Sequence, residues 1–216
     1  MGSPAWREAH PSSPVGRTCE IGLAAAGRGA AVEIVGRVGD DRAGDSLLIA
    51  LSRAGVGHAA VLRDPVVSTP IMAPSSDPDP VDDLLADVPG AAAQGIDSGP
   101  RLEPADVALG LSYLTAFGVL VVTDDAPAEV VPACVAGAAF SGAHLVLIVP
   151  ADRPLPDGLP PEATVLAAPD VEDDGAFAAL VGAYAAALDS GDEPAGAFQA
   201  ATGETGWAGS EAPGSP

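Results

Sequence analysis

Apolar residues along most of this chain fall into two alternating patterns. Short uninterrupted apolar runs, such as 119–122 and 145–149, predict buried strands. Apolar residues three and four positions apart, such as Leu47, Leu48 and Leu51, predict one buried face of a helix. Together the patterns predict strands over 32–35, 59–63, 119–123, 145–149 and 164–167, and helices over 18–27, 43–54, 128–140, 176–188 and 194–201.

The order of these elements predicts the fold class. The strand at 32–35, the helix at 43–54 and the strand at 59–63 occupy about 30 residues and predict a βαβ unit, which places its two strands parallel. Strands and helices go on alternating to the end of the pattern. We therefore expect an α/β domain of three layers, with a mainly parallel sheet flanked by helices.

Three stretches lack this periodicity. Residues 1–15 are rich in Pro and Ser and predict an irregular N-terminal arm, and residues 73–104 predict an acidic, Pro-rich loop with a short helix at 81–86 as an alternative. Residues 203–216 consist mainly of small and polar residues and predict a disordered tail. The remaining span, 16–202, is expected to form one domain.

The charge of the chain limits its partners. Nine Arg and no Lys face thirty Asp and Glu, for a formal charge of -21. Such an acidic surface repels phosphate backbones and anionic lipids, so we expect neither nucleic acid nor a membrane as partner. The absence of lysine excludes Schiff-base chemistry and a lysine phosphate clamp.

The cysteines and the N-terminus bear on the compartment. Cys19 and Cys134 lie far apart in the sequence and lack the spacing of a metal-binding pair. Residues 1–14 lack the apolar core of a signal peptide, which predicts a cytoplasmic protein.

The run Gly36-Arg37-Val38-Gly39-Asp40-Asp41, with Gly44 after it, carries a family resemblance. In its place between a strand and a helix it resembles the first signature of the ribokinase-like (PfkB) carbohydrate kinases. The segments 63–70, 89–93 and 125–150 are also similar to that family, and the resemblance covers about 16–201. It implies a ribokinase-like fold and transfer of a phosphoryl group from ATP, with Mg²⁺, to a hydroxyl of a sugar or nucleoside.

The resemblance implies a substrate side with altered recognition. The family's N-terminal strand, which carries a substrate-binding Asp, is not recognisable here. Glu20 stands where the family has a sugar-binding Asn, in the segment that begins at Gly16, and a carboxylate can only accept hydrogen bonds where an amide also donates. Gly16, Glu20 and Asp40 are therefore the candidate substrate-binding residues. For Asp40 and Asp41 the alternative is a structural role in shaping the turn and capping the next helix.

The family's catalytic Gly-Ala-Gly-Asp motif is not intact. Its best counterpart is 172–177, in which Gly175 stands at the position of the catalytic Asp and acidic residues replace the anion-hole glycines. Asp174 is the candidate base if the chain is a kinase. Asp170 and Asp173 are candidate Mg²⁺ ligands, with a solvated helix N-terminus as the alternative explanation for these acids.

Three functions remain open at this point. The first is a degenerate ribokinase-like protein that binds a small metabolite without phosphoryl transfer, and the second is an ATP-dependent kinase with an atypical acid. The third is a new enzymatic activity in the inherited pocket, with Glu20 as its polar group. Whether the chain forms a homodimer through the region that is a lid in the family is also open.

Overall fold

Strands and helices alternate throughout the described part of the chain. The computed structural model describes residues 16–70, 99–114, 116–150, 153–169 and 175–207. A 3₁₀ turn, Ala128–Val130, precedes the fourth helix. The elements are α1 (Arg17–Ala26), β1 (Glu33–Gly39), α2 (Arg42–Arg53), β2 (Gly57–Asp64), α3 (Pro104–Tyr113), β3 (Val119–Val122), α4 (Val131–Ser141), β4 (His144–Pro150), β5 (Thr164–Ala168), α5 (Ala176–Asp189) and α6 (Pro194–Thr205).

The predicted elements are all present, with three differences. Strand β1 continues to Gly39 because its last residues pair with β2. Helix α3 was not predicted: Pro104, assigned to the Pro-rich loop, begins this helix, and Glu103 and Asp106 form a capping box around it. Helix α6 extends to Thr205, so the first residues of the predicted tail are helical. The predicted arm at 1–15, most of the loop at 73–104 and the end of the tail lie outside the described residues.

All strands of the described ranges pair in parallel, which confirms the predicted fold class. Strand β1 pairs with β2, and helix α2 connects them as the predicted βαβ unit requires. Strand β4 lies between β3 and β5 in a second sheet. Within the described residues these two sheets share no ladder, so the expected single sheet is divided between β1 and β3.

Helices cover both faces of the strands and bury three apolar clusters. Alternate residues of β4 serve different clusters: Val146 and Ile148 pack with α5 and α6, whereas Leu145 and Leu147 pack with α3 and α4. A third cluster joins α1, α2 and β1 around Leu51. These contacts give the three-layer arrangement predicted from the sequence.

Helices α1 and α3 connect the two sheets. Helix α1 contacts α5 and β1, and α3 contacts α4 as well as β1 and β2. The α1–α5 contact needs a glycine, because a Cβ placed on Gly182 would lie 2.6 Å from the Cβ of Ala24. In the described part of the chain, no helix is long and apolar enough to span a membrane.

The turn after β1 explains why the motif there contains glycines and an aspartate. Asp41 is the N-cap of α2: its Oδ1 accepts a hydrogen bond from the Gly44 N–H, and its Oδ2 accepts one from the Thr69 N–H, both at 2.8 Å. A Cβ on Gly44 would collide with the carbonyl oxygen of Gly39. Burial alone would raise the pKa of Asp41, but the N–H groups of Gly44 and Thr69 lower it below its ordinary value.

Gly182→Ala should lower the free energy of unfolding by about 1–3 kcal/mol, because the added methyl group has no room against α1. The matched control is Gly196→Ala in α6, where no atom lies within 4 Å of the new Cβ. There we expect no loss, or a gain of up to about 1 kcal/mol from better helix propensity. Urea denaturation measures both, and equal effects of the two substitutions would contradict the close α1–α5 contact.

Asp41→Ala should lower the free energy of unfolding by about 1–3 kcal/mol at neutral pH, because two backbone N–H groups lose their acceptor. Asp40→Ala is the control, since that side chain is 60% exposed and pairs with the exposed Arg63. The folded-state pKa of Asp41 is lowered, so its contribution is present above the ordinary value of 3.8 and is lost as the pH falls through the lowered pKa. A stability difference between wild type and Asp41→Ala that persisted unchanged at lower pH would contradict this account.

Candidate functional site

A large cleft of about 2180 Å³ lies between β1 and β3. Every residue of β1 from Glu33 to Val38 lines it, and so does every residue from Gly118 to Thr123 on the other side. Residues of α1 and α3 close its two faces. Most of this lining is apolar, and polar side chains cluster at one end, while Glu33 and Asp189 lie toward the other.

That polar end lies at the carboxyl ends of the strands. Thr123, Asp124 and Asp125 directly follow β3, and Arg37 lies near the end of β1. In open parallel sheets, ligands bind in crevices at this edge, because the loops that leave the strands meet there. We call this end of the cleft the polar mouth; it consists of Thr18, Arg37, Arg101, Thr123, Asp124, Asp125 and Glu129.

Two hydroxyl groups and a carboxylate form the wall of the polar mouth beside α1. Thr123, which is buried, donates a short hydrogen bond from its Oγ1 to Asp125 Oδ1. The hydroxyl of Thr18, in the first turn of α1, lies 2.7 Å from Thr123 Oγ1. Because a hydroxyl both donates and accepts, this chain of groups can present either function to a ligand.

Asp124 supplies a second carboxylate, and only one of its oxygens is paired. Oδ2 lies 2.6 Å from Nη1 of Arg17, whose guanidinium also stacks on the ring of Phe177 at 5.4 Å. Oδ1 is buried and has no hydrogen-bond partner among the described residues. A buried carboxylate oxygen without a donor is costly, so Asp124 is suited to accept a hydrogen bond from a group in the cleft.

Cationic side chains form the opposite wall. Arg37 is only 25% exposed; its Nε lies 3.2 Å from Asp106 Oδ2, and its Nη1 lies 3.6 Å from Asp64 Oδ2. Arg101 pairs with Glu129 at 3.0 Å. The polar mouth therefore offers both donors and acceptors, and both of its arginines are paired with carboxylates.

The residues predicted to bind substrate lie near this edge but do not line the cleft. Gly16 is the N-cap of α1, and Glu20 is exposed on the same helix. Asp40 is exposed at the end of β1 and lies 3.2 Å from Arg63. The structure records no contact that brings Asp40 to Gly16 or Glu20, and ligand binding by all three stays a prediction. Asp170, Asp173 and Asp174 lie outside the described residues.

Sequence reasoning missed Thr18, Thr123 and Asp124 as site residues. The position of Thr123 and Asp124 in the sequence could have indicated the site, because polar residues directly after a buried strand lie at the carboxyl edge of a parallel sheet. The partner of that strand end, the start of α1, is more than 100 residues away in the sequence and cannot be identified from spacing.

Neither cysteine adds a nucleophile to the site. Cys19 lines the cleft, but burial, followed by the nearby carboxylates of Asp125 and Glu20, raises the pKa of its thiol to about 11. Burial also raises the pKa of Cys134 to about 11. Both thiols are free and stay protonated at neutral pH, as expected for small apolar core residues.

ATP and Mg²⁺, which the sequence resemblance implies, would meet carboxylates at the polar mouth, and the candidate Mg²⁺ ligands Asp170, Asp173 and Asp174 lie outside the described residues. Arg17 is the cation beside the first turn of α5, and Asp124 already pairs with it. Asp124 and Asp125 would repel a triphosphate. Across the described ranges, no group of three His, Cys, Asp or Glu side chains could hold a metal ion.

Comparisons with known proteins give the fold. No family model matches the sequence, and no curated protein matches it significantly. The crystal structure of Sa239 is similar with a TM-score of 0.60 at 13% identity, over 94% of this chain and 89% of that one. A "putative Ribokinase II (Apo Form) from E.coli" is similar with a TM-score of 0.55 at 14% identity, over 93% and 85%.

Some structures named as kinases are matched over less than half of their length. An aminoimidazole riboside kinase from Salmonella enterica has a TM-score of 0.45 at 16% identity, and the match covers 68% of this chain but 45% of the kinase. The two structures with higher TM-scores cover nearly the whole of this chain. The parallel strands, their helical layers and these two similarities together show that the chain has the ribokinase-like α/β fold, as its sequence resemblance predicted.

Proposed function

We propose that this protein binds a small, uncharged, polyhydroxylated metabolite, of sugar or nucleoside type, at the polar mouth and does not transfer phosphate to it. The observation that carries the proposal is the mixture of hydroxyls, carboxylates and guanidinium groups that line the polar mouth, among them Asp124, whose Oδ1 has no partner among the described residues. Ligand hydroxyls can donate to these carboxylates and accept from the threonine hydroxyls and Arg37.

The neighbouring groups favour hydroxyls over other ligands. Thr18 and Thr123 can each donate or accept, Asp125 accepts, and Arg37 donates. A vicinal diol presents donors and acceptors a few ångströms apart, which matches such a mixed lining. An anionic ligand would meet Asp124, Asp125 and Glu129 as well as the overall charge of -21.

The start of α5 supports a role without phosphoryl transfer. In the register of the sequence resemblance, Gly175 replaces the catalytic Asp, and it adopts a left-handed conformation as the N-cap of this helix. A glycine has no side chain that could remove a proton from a substrate hydroxyl. Without the base and the anion-stabilising glycines, the motif lacks the groups that deprotonate the substrate and stabilise the transition-state charge in phosphoryl transfer.

Thermal denaturation tests the proposal on the full chain. We expect at least one neutral sugar or nucleoside to raise Tm in a concentration-dependent way, because a ligand that binds the folded state stabilises it. ATP with Mg²⁺ should leave Tm unchanged. Asp124→Asn should weaken the effect of the sugar or nucleoside at least about tenfold in apparent affinity, since the amide changes the acceptor at the site.

Asp157→Asn is the matched control, because it removes the same charge from an exposed residue away from the cleft. It should leave the ligand effect as in wild type. A clear stabilisation by ATP with Mg²⁺ that is lost in Asp174→Ala would overturn the proposal in favour of a kinase. No effect of any neutral sugar or nucleoside would overturn it as well.

A further inference from the structure

A second, smaller pocket of about 430 Å³ lies between helix α2 and strand β2. Its lining comes from one side of α2 and from positions near both ends of β2: Asp45, Leu48, Ile49, Ser52, Arg53, His58 and Arg63. We call it the α2 pocket. Only Leu48 among these residues also lines the large cleft, so the α2 pocket is a separate site from the polar mouth.

The α2 pocket is elongated, and its two ends differ in chemistry. One end holds Arg63 and Asp45, whose side chains pair at 2.6 Å. His58 lies five residues before Arg63 on β2, which corresponds to roughly 16 Å along the strand. The helix of a βαβ unit runs antiparallel to its strands, so the last residues of α2, with Arg53, lie at the same end as His58.

The end with Arg53 has donors that lack partners. Among the described residues, no ion pair or hydrogen bond engages the Arg53 guanidinium, and the buried Nδ1 of His58 has no hydrogen-bond partner. The helix does not need Arg53 as a cap, because N–H groups after α2 already bond its last carbonyls, as the Gly55 N–H does with the Ser52 carbonyl oxygen. These donors are therefore available to an acceptor in the pocket.

Apolar side chains form the middle of the α2 pocket. Leu48 is half-buried, and Ile49 is 51% exposed although it is aliphatic. A ligand that covered Ile49 would remove apolar surface from water, which is favourable in proportion to the area buried. The pocket thus combines a cationic end with an apolar stretch next to it.

We propose that the α2 pocket binds a small aliphatic monocarboxylate, with its carboxylate at Arg53 and His58 and its tail along Leu48 and Ile49. A guanidinium donates two parallel hydrogen bonds that match the two oxygens of a carboxylate. A second carboxylate at the far end of the ligand would meet Asp45, which disfavours a dicarboxylate. Inorganic phosphate has no tail to cover the apolar stretch.

A ¹H–¹⁵N NMR titration of the full-length protein with hexanoate tests the proposal. We expect saturable shifts of backbone signals between residues 45 and 63, and unchanged signals of Thr123 and Asp124 at the polar mouth. Acetate lacks the tail and 1-hexanol lacks the charge, so each should bind at least about tenfold more weakly than hexanoate.

Arg53→Gln should weaken hexanoate binding at least about tenfold, because the carboxylate loses its cation. The matched control is Arg42→Gln, which removes the same charge from an exposed residue of the same helix outside the pocket, and it should bind as wild type does. Equal losses in both variants, or shifts confined to the cleft, would overturn the proposal. So would the absence of saturable binding, and equal binding of acetate or phosphate would show an adventitious ion only.

Discussion

The packing of helices α1 and α3 between the β1–β2 pair and the helices α5 and α4 is the interaction on which the rest of the structure depends. The sheets share no backbone ladder within the described ranges, so packing alone fixes their spacing. Gly182 allows α1 to approach α5, and on the other face α3 packs against β1, β2 and α4. The cleft lies between these two sheets, lined by β1 on one side and β3 on the other.

The same arrangement separates the cleft into two chemical regions. Between the strand edges the lining is mainly aliphatic, and within the described residues β1 and β3 do not pair with each other. At the carboxyl edge it becomes polar, because the residues that leave β3 meet the start of α1. In the proposed function, the hydroxyls and carboxylates there bind a neutral ligand with several hydroxyl groups, and the carboxylates repel a triphosphate.

Local patterns in the sequence were enough to predict most of the fold. The apolar patterns identified every described strand. The glycine-rich motif after β1 carries the family resemblance, and the Asp41 cap shows that the same motif also determines the structure of the turn. Helix α3 was missed because prolines on its N-terminal side indicate a loop, although proline is favoured in the first turn of a helix. The division between β1 and β3 has no local signal, since each strand has its own normal partner.

The candidate site was harder to predict because its residues come from distant segments. The family resemblance pointed to Glu20 and Asp40, which lie outside the cleft, whereas the pairing of Arg17 with Asp124 is seen only in the folded structure.

Incubation with radiolabelled ATP, Mg²⁺ and a panel of sugars and nucleosides tests the central claim, that the protein does not transfer phosphate, most directly. The account predicts that no labelled product forms; a labelled sugar phosphate or nucleotide that disappears in Asp174→Ala would contradict it.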